Sequence, residues 1–279
     1  MFTYHDILNA YYDCRKNKRT TVNQRMFEYD YEYNCKVLLN EINNRTYEIG
    51  YSICFVVTHP KPREVFAANF RDRVVHHLLM AELEPLFERV FIKNTFNCRK
   101  GKGTLYGLKT LREEMIECSD YFNIESFVAK FDLSNFFMSI DKGILWNKLQ
   151  KFINDNYLGK NKDLILYLTY KIVMHCPENK CIKKSKKSLW DKLGKEKSLF
   201  TTSYIKGLPI GNLTSQIFAN FYLNDLDNFL SSEFKFYGRY VDDFYILSRN
   251  KQELINIIPK IIVILNNLQI RLNPRKISI

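Results

Sequence analysis

The sequence predicts an α+β fold, and three observations carry that prediction. Apolar side chains recur at helical spacing between Asp72 and Phe91, through Val74, Val75, Leu78, Leu79, Leu83, Leu86, Phe87 and Val90. Short β-branched and aromatic runs alternate with turn residues, as in Ile53-Cys54-Phe55-Val56-Val57-Thr58 followed by His59-Pro60-Lys61-Pro62. Two more such runs, Phe236 to Tyr240 and Phe244 to Leu247, flank Val241-Asp242-Asp243, the pattern of a hairpin whose tip carries two carboxylates.

Taken in order, Tyr51 to Phe66 reads as a hairpin with a basic tip, and the helix from Asp72 to Phe91 follows, with Pro85 as the place for a kink. Phe127 to Leu133 is a short apolar strand ending near the acid Asp132, and a helix from Lys142 to Asn154 comes after it. Between Pro177 and Gly207 the composition shifts, with lysines at 180, 183, 184, 186, 187, 192, 195 and 197 around Trp190. This is expected to be a surface insertion touching phosphate, with a solvated charged loop as the alternative. Gly207-Leu208-Pro209-Ile210-Gly211 is a turn, Asn212 a helix N-cap, and Thr214 to Leu230 continues at helical spacing. A last helix, Gln252 to Asn267, leads to a short strand ending at Ile279.

Composition narrows the function. With 279 residues and 46% hydrophobic content the chain can bury a sizeable core. Lys and Arg outnumber Asp and Glu by 42 to 30, a net charge of +12 that suits a polyanion, nucleic acid first. Asp6 and Asn9 interrupt the start where a signal peptide needs an apolar stretch, and the apolar run from Ile255 to Leu268 is broken and shorter than a membrane span of about 20 residues. A cytoplasmic protein without membrane contact is the expectation. Seven cysteines without paired spacing read as thiols. His175, Cys176 and Cys181 lack the nearby fourth ligand that structural zinc requires.

Adjacent aspartates in a turn usually mean a hydrated loop. Here Tyr240 and Phe244 flank the pair with strands that look buried, and buried carboxylates need a counter-charge. A neighbouring strand ending at Asp132 could bring three carboxylates to one sheet edge, the set that a pair of magnesium ions uses together with waters and phosphate oxygens.

Tyr240-Val241-Asp242-Asp243 resembles the Tyr-x-Asp-Asp signature of reverse transcriptases, and Phe131-Asp132-Leu133-Ser134-Asn135-Phe136-Phe137 resembles their first acidic motif. Lys61-Pro62-Arg63, Arg71-Asp72-Arg73-Val74-Val75 and Arg99-Lys100-Gly101-Lys102-Gly103 are similar to upstream finger and template-contacting motifs of bacterial and group II intron enzymes. Leu208-Pro209-Ile210-Gly211-Asn212-Leu213-Thr214-Ser215-Gln216 departs from the more usual Pro-Gln-Gly followed by Ser-Pro. It resembles the variant of reverse transcriptases from diversity-generating retroelements, which copy a template repeat with errors at adenines. Trp190 with Lys197-Ser198-Leu199-Phe200, and His76-His77, are similar to that subfamily as well.

The resemblance implies a right-hand polymerase fold: fingers and template-contacting region over residues 1–120, and a palm over 121–279 that includes the lysine-rich insertion 177–206. The palm would be an antiparallel sheet backed by the helices beginning near Lys142 and Asn212. It implies RNA-directed DNA polymerase activity with two Mg2+ ions, held by Asp132 with Leu133 beside it and by Asp242, with Asp243 assisting more loosely. Phe137, five residues after Asp132, would be the gate against a ribose 2′-hydroxyl. Lys61, Arg63 and Lys276 would meet the triphosphate or pyrophosphate, and Ile210, Gly211 and Gln216 would belong to the nucleotide pocket. An apolar Ile210 where other enzymes have Gln implies low fidelity. Arg71, Arg73, Arg99, Lys100 and Lys102 would contact nucleic acid.

Implied partners are template RNA, the DNA product, deoxynucleoside triphosphates and a small helical accessory protein that assembles as a basic oligomer. Ile279 comes soon after Lys276, where family members continue into a primer grip and helical thumb, so both are expected to be absent, with the chain either a fragment or reliant on a partner for its grip on the duplex. Two rival readings are a reverse transcriptase of an antiviral defence system and a catalytically idle RNA-binding palm remnant.

Overall fold

The structure is a computed structural model and describes residues 1–16 and 21–279. In chain order the elements are α1 (Tyr4–Arg15), α2 (Val22–Tyr29), α3 (Tyr31–Asn43), β1 (Ser52–Val57), β2 (Arg63–Ala67), α4 (Phe70–Val90), α5 (Thr104–Cys118) and β3 (Phe127–Asp132). There follow α6 (Phe136–Ser139), α7 (Lys142–Asn156), α8 (Lys162–Met174), β4 (Cys181–Lys183), α9 (Lys187–Trp190) and α10 (Leu213–Tyr222). The chain closes with α11 (Asn224–Glu233), β5 (Phe236–Tyr240), β6 (Asp243–Ser248), α12 (Lys251–Asn256) and α13 (Ile258–Asn267). Two compact units result, each discontinuous in sequence: residues 1–88 with 142–216, and 89–141 with 217–279. A single cut near residue 120 therefore does not separate them.

In the first unit the expected hairpin forms, with β1 and β2 antiparallel from Ile53 opposite Ala67 to Val57 opposite Arg63. The lysine-rich stretch is more than a charged loop. Its residues Cys181–Lys183 pair in parallel with β1 as a third strand, and Trp190 on α9 meets Phe200 edge-on at 5.8 Å. Phe66 of β2 packs on the same Phe200 and donates its N–H to Ile210 O at 2.8 Å, so the 208–211 turn is laced onto β2. Glu64, fully buried on β2, accepts from Ser198 Oγ at 2.6 Å and Leu199 N at 2.9 Å, and burial raises its carboxyl above the usual range. The periodic face of α4 is buried as its spacing requires, at Val74, Val75, Leu78, Leu79, Leu83 and Phe87, and Phe87 stacks on Phe152 of α7. Thr3 and Asp6 close a capping box at the start of α1.

In the second unit the sheet order is β3-β6-β5, all antiparallel. Phe131 and Phe244, opposite each other on β3 and β6, are buried and stack at 4.9 Å. Strand alternation sends the next pair, Asp132 and Asp243, to the other face. Helix α11 packs on β5, and α12 on β6.

Three local expectations are corrected. The helix expected from Thr214 to Leu230 breaks at Leu223, whose N–H turns back to Asn220 O, and Asp225 and Asp227 favour a new N-terminus for α11. The helix expected from Gln252 to Asn267 breaks at Ile257, because Pro259 lacks an N–H and fits the first turn of α13. The final strand is instead a 3-10 turn, Pro274–Lys276, between isolated bridges joining Leu133 to Leu272 and Lys130 to Ser278. Asn212 stands directly before α10, where the N-cap was expected, and its side-chain oxygen accepts from the Ala68 N–H at 3.3 Å, tying the turn to the end of β2. Among the described residues no helix is long and apolar enough to cross a membrane.

Candidate active site

The hairpin of β5 and β6 places Tyr240 opposite Asp243, and β3 places Asp132 opposite the same Asp243. Leu133 donates its N–H to Asp242 O at 3.1 Å, so both acidic segments are locked in register by backbone. The sheet thus brings Asp132, Asp242 and Asp243 onto neighbouring positions at one edge. Asp132 is 5% exposed. Its Oδ1 accepts from Asn273 Nδ2 at 3.0 Å, and its Oδ2 holds the ammonium of Lys276. That contact raises the pKa of Lys276. The Asp243 carboxyl is pushed up to about 6 by desolvation and by the charges of Asp242 and Asp132. With Asp243 exposed, the two charges are the part of this strain that a bound cation would relieve. A hollow of about 350 Å³ opens beside the acids, lined by Lys130, Asp132, Asp243, Arg275, Lys276 and Ser278 among others. A second hollow of about 410 Å³ in the same unit shares none of these residues.

Among the described residues no three His, Cys, Asp or Glu side chains converge into a ready-made metal cage. The donor set nevertheless fits magnesium: hard carboxylate oxygens, crowded like charges, and few enough ligands that phosphate oxygens and water complete each shell.

The turn that carries Asp242 is strained and braced. Val241 has φ +59°, a left-handed conformation that costs a β-branched residue about 1–3 kcal/mol. Its N–H donates to Asn97 Oδ1 at 3.0 Å, and its C=O accepts from Arg239 Nη1 at 2.8 Å. Arg239 is fully buried and grips Asp227 at both carboxylate oxygens, Nε at 2.7 Å and Nη2 at 2.6 Å, while Tyr237 Oη donates to the same carboxylate at 2.6 Å. Sequence reasoning missed this group. Its signal was a charged residue at a core position of each element, Arg239 within an aromatic strand and Asp227 beside Leu226 and Leu230 on a helix.

Phe137 lies on α6, a helix that begins directly after Asn135 in a left-handed conformation, and its ring meets Phe136 at 5.7 Å. Lys61 and Arg63 are exposed at the tip of the β1–β2 hairpin. Ile210 is half-buried and Gln216 lies within α10, while Gly211 has φ +116° and presses so close to Val65 that a Cβ there would sit 2.7 Å from Cγ1. Of the five basic residues expected at nucleic acid, Lys100 is exposed. Arg71 is engaged by Glu41 and the Glu48 carbonyl, Arg73 by Ala68 O, and Lys102 by Lys93 O. Arg99 is buried against Ile92 O at 2.6 Å and Thr95 Oγ1 at 2.7 Å. These four side chains therefore support their own units in this conformation.

The chain belongs to the reverse transcriptase (RNA-dependent DNA polymerase) family, a family of enzymes whose profile matches residues 59–279. Among solved structures it is similar to apo telomerase from Candida tropicalis truncated of its C-terminal domain, with TM-score 0.55 and 12% identity over 82% of this chain and 50% of that one. It is similar also to telomerase from Candida albicans in complex with a TWJ fragment of telomeric RNA, with TM-score 0.54 and 11% identity over 85% of this chain and 43% of that one. At such identity the likeness is one of fold, and the chain spans half or less of the length of these proteins. No curated protein sequence matches it.

Proposed function

We propose that the chain is an RNA-directed DNA polymerase working by two-metal-ion nucleotidyl transfer, and that it diversifies sequence by misreading template adenines. The observation that carries the reading is the register of Asp132 opposite Asp243, with Asp242 next to it on the turn, in a chain of this family. Asp132 and Asp242 are the principal ligands for two Mg2+ ions, with Leu133 beside them and Asp243 assisting. When bound, those ions would activate the primer 3′-hydroxyl and offset the charge of the triphosphate.

The protein's own groups then position and select. Phe137 fills the space a ribose 2′-hydroxyl needs and so favours deoxynucleotides. Lys61 and Arg63 are assigned to the incoming triphosphate, and Lys276, once released from Asp132, to the pyrophosphate. Ile210, Gly211 and Gln216 belong to the nucleotide pocket, where Ile210 offers no hydrogen bond. Fingers over 1–120 and palm over 121–279 remain the functional division by motif order. Template RNA is the partner that the net charge of +12 favours, with Lys100 as an exposed contact; Arg71, Arg73, Arg99 and Lys102 are assigned to it by motif and would first have to leave their present partners. A small basic helical accessory protein is part of the same reading.

RNA-templated primer extension with deoxynucleotides and magnesium, followed by sequencing of the product, tests it. Product with errors concentrated at template adenines supports the whole reading. Accurate product leaves the polymerase and removes the diversification, and absence of product with accessory protein supplied removes both.

A further inference from the structure

Asp242 and Asp243 sit on a turn that the chain would not adopt without help, because Val241 must hold φ +59°. Two side chains outside the acids provide the help, Asn97 and Arg239. The segment before α5 runs along β5, with Arg239 N–H donating to Asn94 O at 2.9 Å and Phe96 N–H donating to Arg239 O at 2.9 Å. That pairing delivers Asn97 to the Val241 N–H. Asn97 is itself fixed, since Asn220 Nδ2 donates to its carbonyl at 2.9 Å. From the other side Arg239 reaches the Val241 carbonyl, and its remaining donors are spent on Asp227 and Asn220. Close approach leaves no slack: a Cβ on Gly238 would lie 2.5 Å from Tyr245 Oη and 2.8 Å from Phe96 Cε2.

We propose that Asn97 and the buried Arg239–Asp227 pair are positioning residues that clamp both backbone polar groups of Val241 and so hold the Asp242–Asp243 turn in its working conformation. The inference rests on the polymerase reading for what the turn does. A buried ion pair that served only stability could be placed anywhere in the core, and replacing such a pair by apolar groups is often tolerated. This one spends a guanidinium donor on the carbonyl of a strained residue next to the carboxylates.

The test compares Asn97→Leu, which removes the acceptor, with Asn97→Asp, which keeps it. Asn97→Leu is expected to lower kcat roughly 100-fold while nucleotide KM stays within about threefold, the mark of misplaced rather than missing groups. Asn97→Asp restores most of the rate. Val241→Gly in the Asn97→Leu background recovers part of it, since glycine accepts the left-handed conformation without the clamp. A second readout needs no activity: amide exchange of Val241 in the metal-free chain, slow in the wild type and fast in Asn97→Leu. If Asn97→Leu fails to fold, Arg239→Lys keeps the charge on Asp227 while abandoning the Val241 carbonyl, and carries the same expectation. A folded variant with wild-type kcat, or with Val241 protection unchanged, overturns the proposal. An inactive wild type whose Val241 protection still depends on Asn97 would instead overturn the polymerase reading and leave the clamp standing.

Discussion

Lys276 rests its ammonium on Asp132 Oδ2 while Asn273 holds the other oxygen of the same carboxylate, so the chain supplies its own cation at the acidic edge. The 3-10 turn that carries Lys276 is pinned there by the bridges flanking it. A lysine so placed would compete with any metal ion that the proposed site binds through Asp132.

Lys276→Met should therefore tighten binding of Mn2+ to the nucleic-acid-free chain, read by calorimetry or electron paramagnetic resonance. Its rate of nucleotide addition should fall, since the charge proposed to meet the pyrophosphate is gone. Weaker Mn2+ binding in the variant would mean that Lys276 helps to build the ion site rather than masking it.

Phe137→Val opens the space beside α6. Ribonucleotide incorporation relative to deoxynucleotide should rise roughly tenfold or more, because a pocket that rejects by bulk loses that rejection when the bulk is cut. Unchanged discrimination in competition assays would take the gate role away from Phe137.

Ile210→Gln adds a hydrogen-bonding group to a half-buried position whose own carbonyl is already taken by Phe66 N–H. Misincorporation opposite template adenine should drop while total synthesis is retained. An identical error spectrum would detach fidelity from this position.

Gly211→Ala meets two penalties, a φ of +116° and contact with Val65 Cγ1 and Phe66 O. It should destabilise the first unit by roughly 1–3 kcal/mol, measured by chemical denaturation. Gly101, with φ +73° and nothing within 4 Å of a Cβ, is the control for conformational strain alone, and its alanine variant should cost less. Equal losses would show that the contact with β2 contributes nothing.

Much of this was legible in the sequence because it rests on local signals. Period-two runs located both hairpins, and the apolar spacing of Val74 to Phe87 located the longest helix. The pairing of Asp132 with Asp243 was suggested by strand ends alone. What escaped were pairings distant in sequence. Cys181–Lys183 looks like charged loop, and only the neighbouring edge of β1 makes it a strand. Nothing in the motifs around Arg71 and Arg99 shows that Glu41 and the Ile92 carbonyl engage them. The clamp on Val241 draws Asn97, Asn220, Asp227 and Arg239 from four separate segments, so no spacing rule could have gathered them.

The central claim is most directly tested by single-turnover addition of one deoxynucleotide to a primer on an RNA template, with magnesium varied and Asp242→Ala run beside the wild type. Addition should require magnesium and fall at least about 100-fold in the variant, as expected when a charge at the reacting centre is removed. Equal addition by the two proteins, or addition that persists after magnesium is chelated, would contradict it.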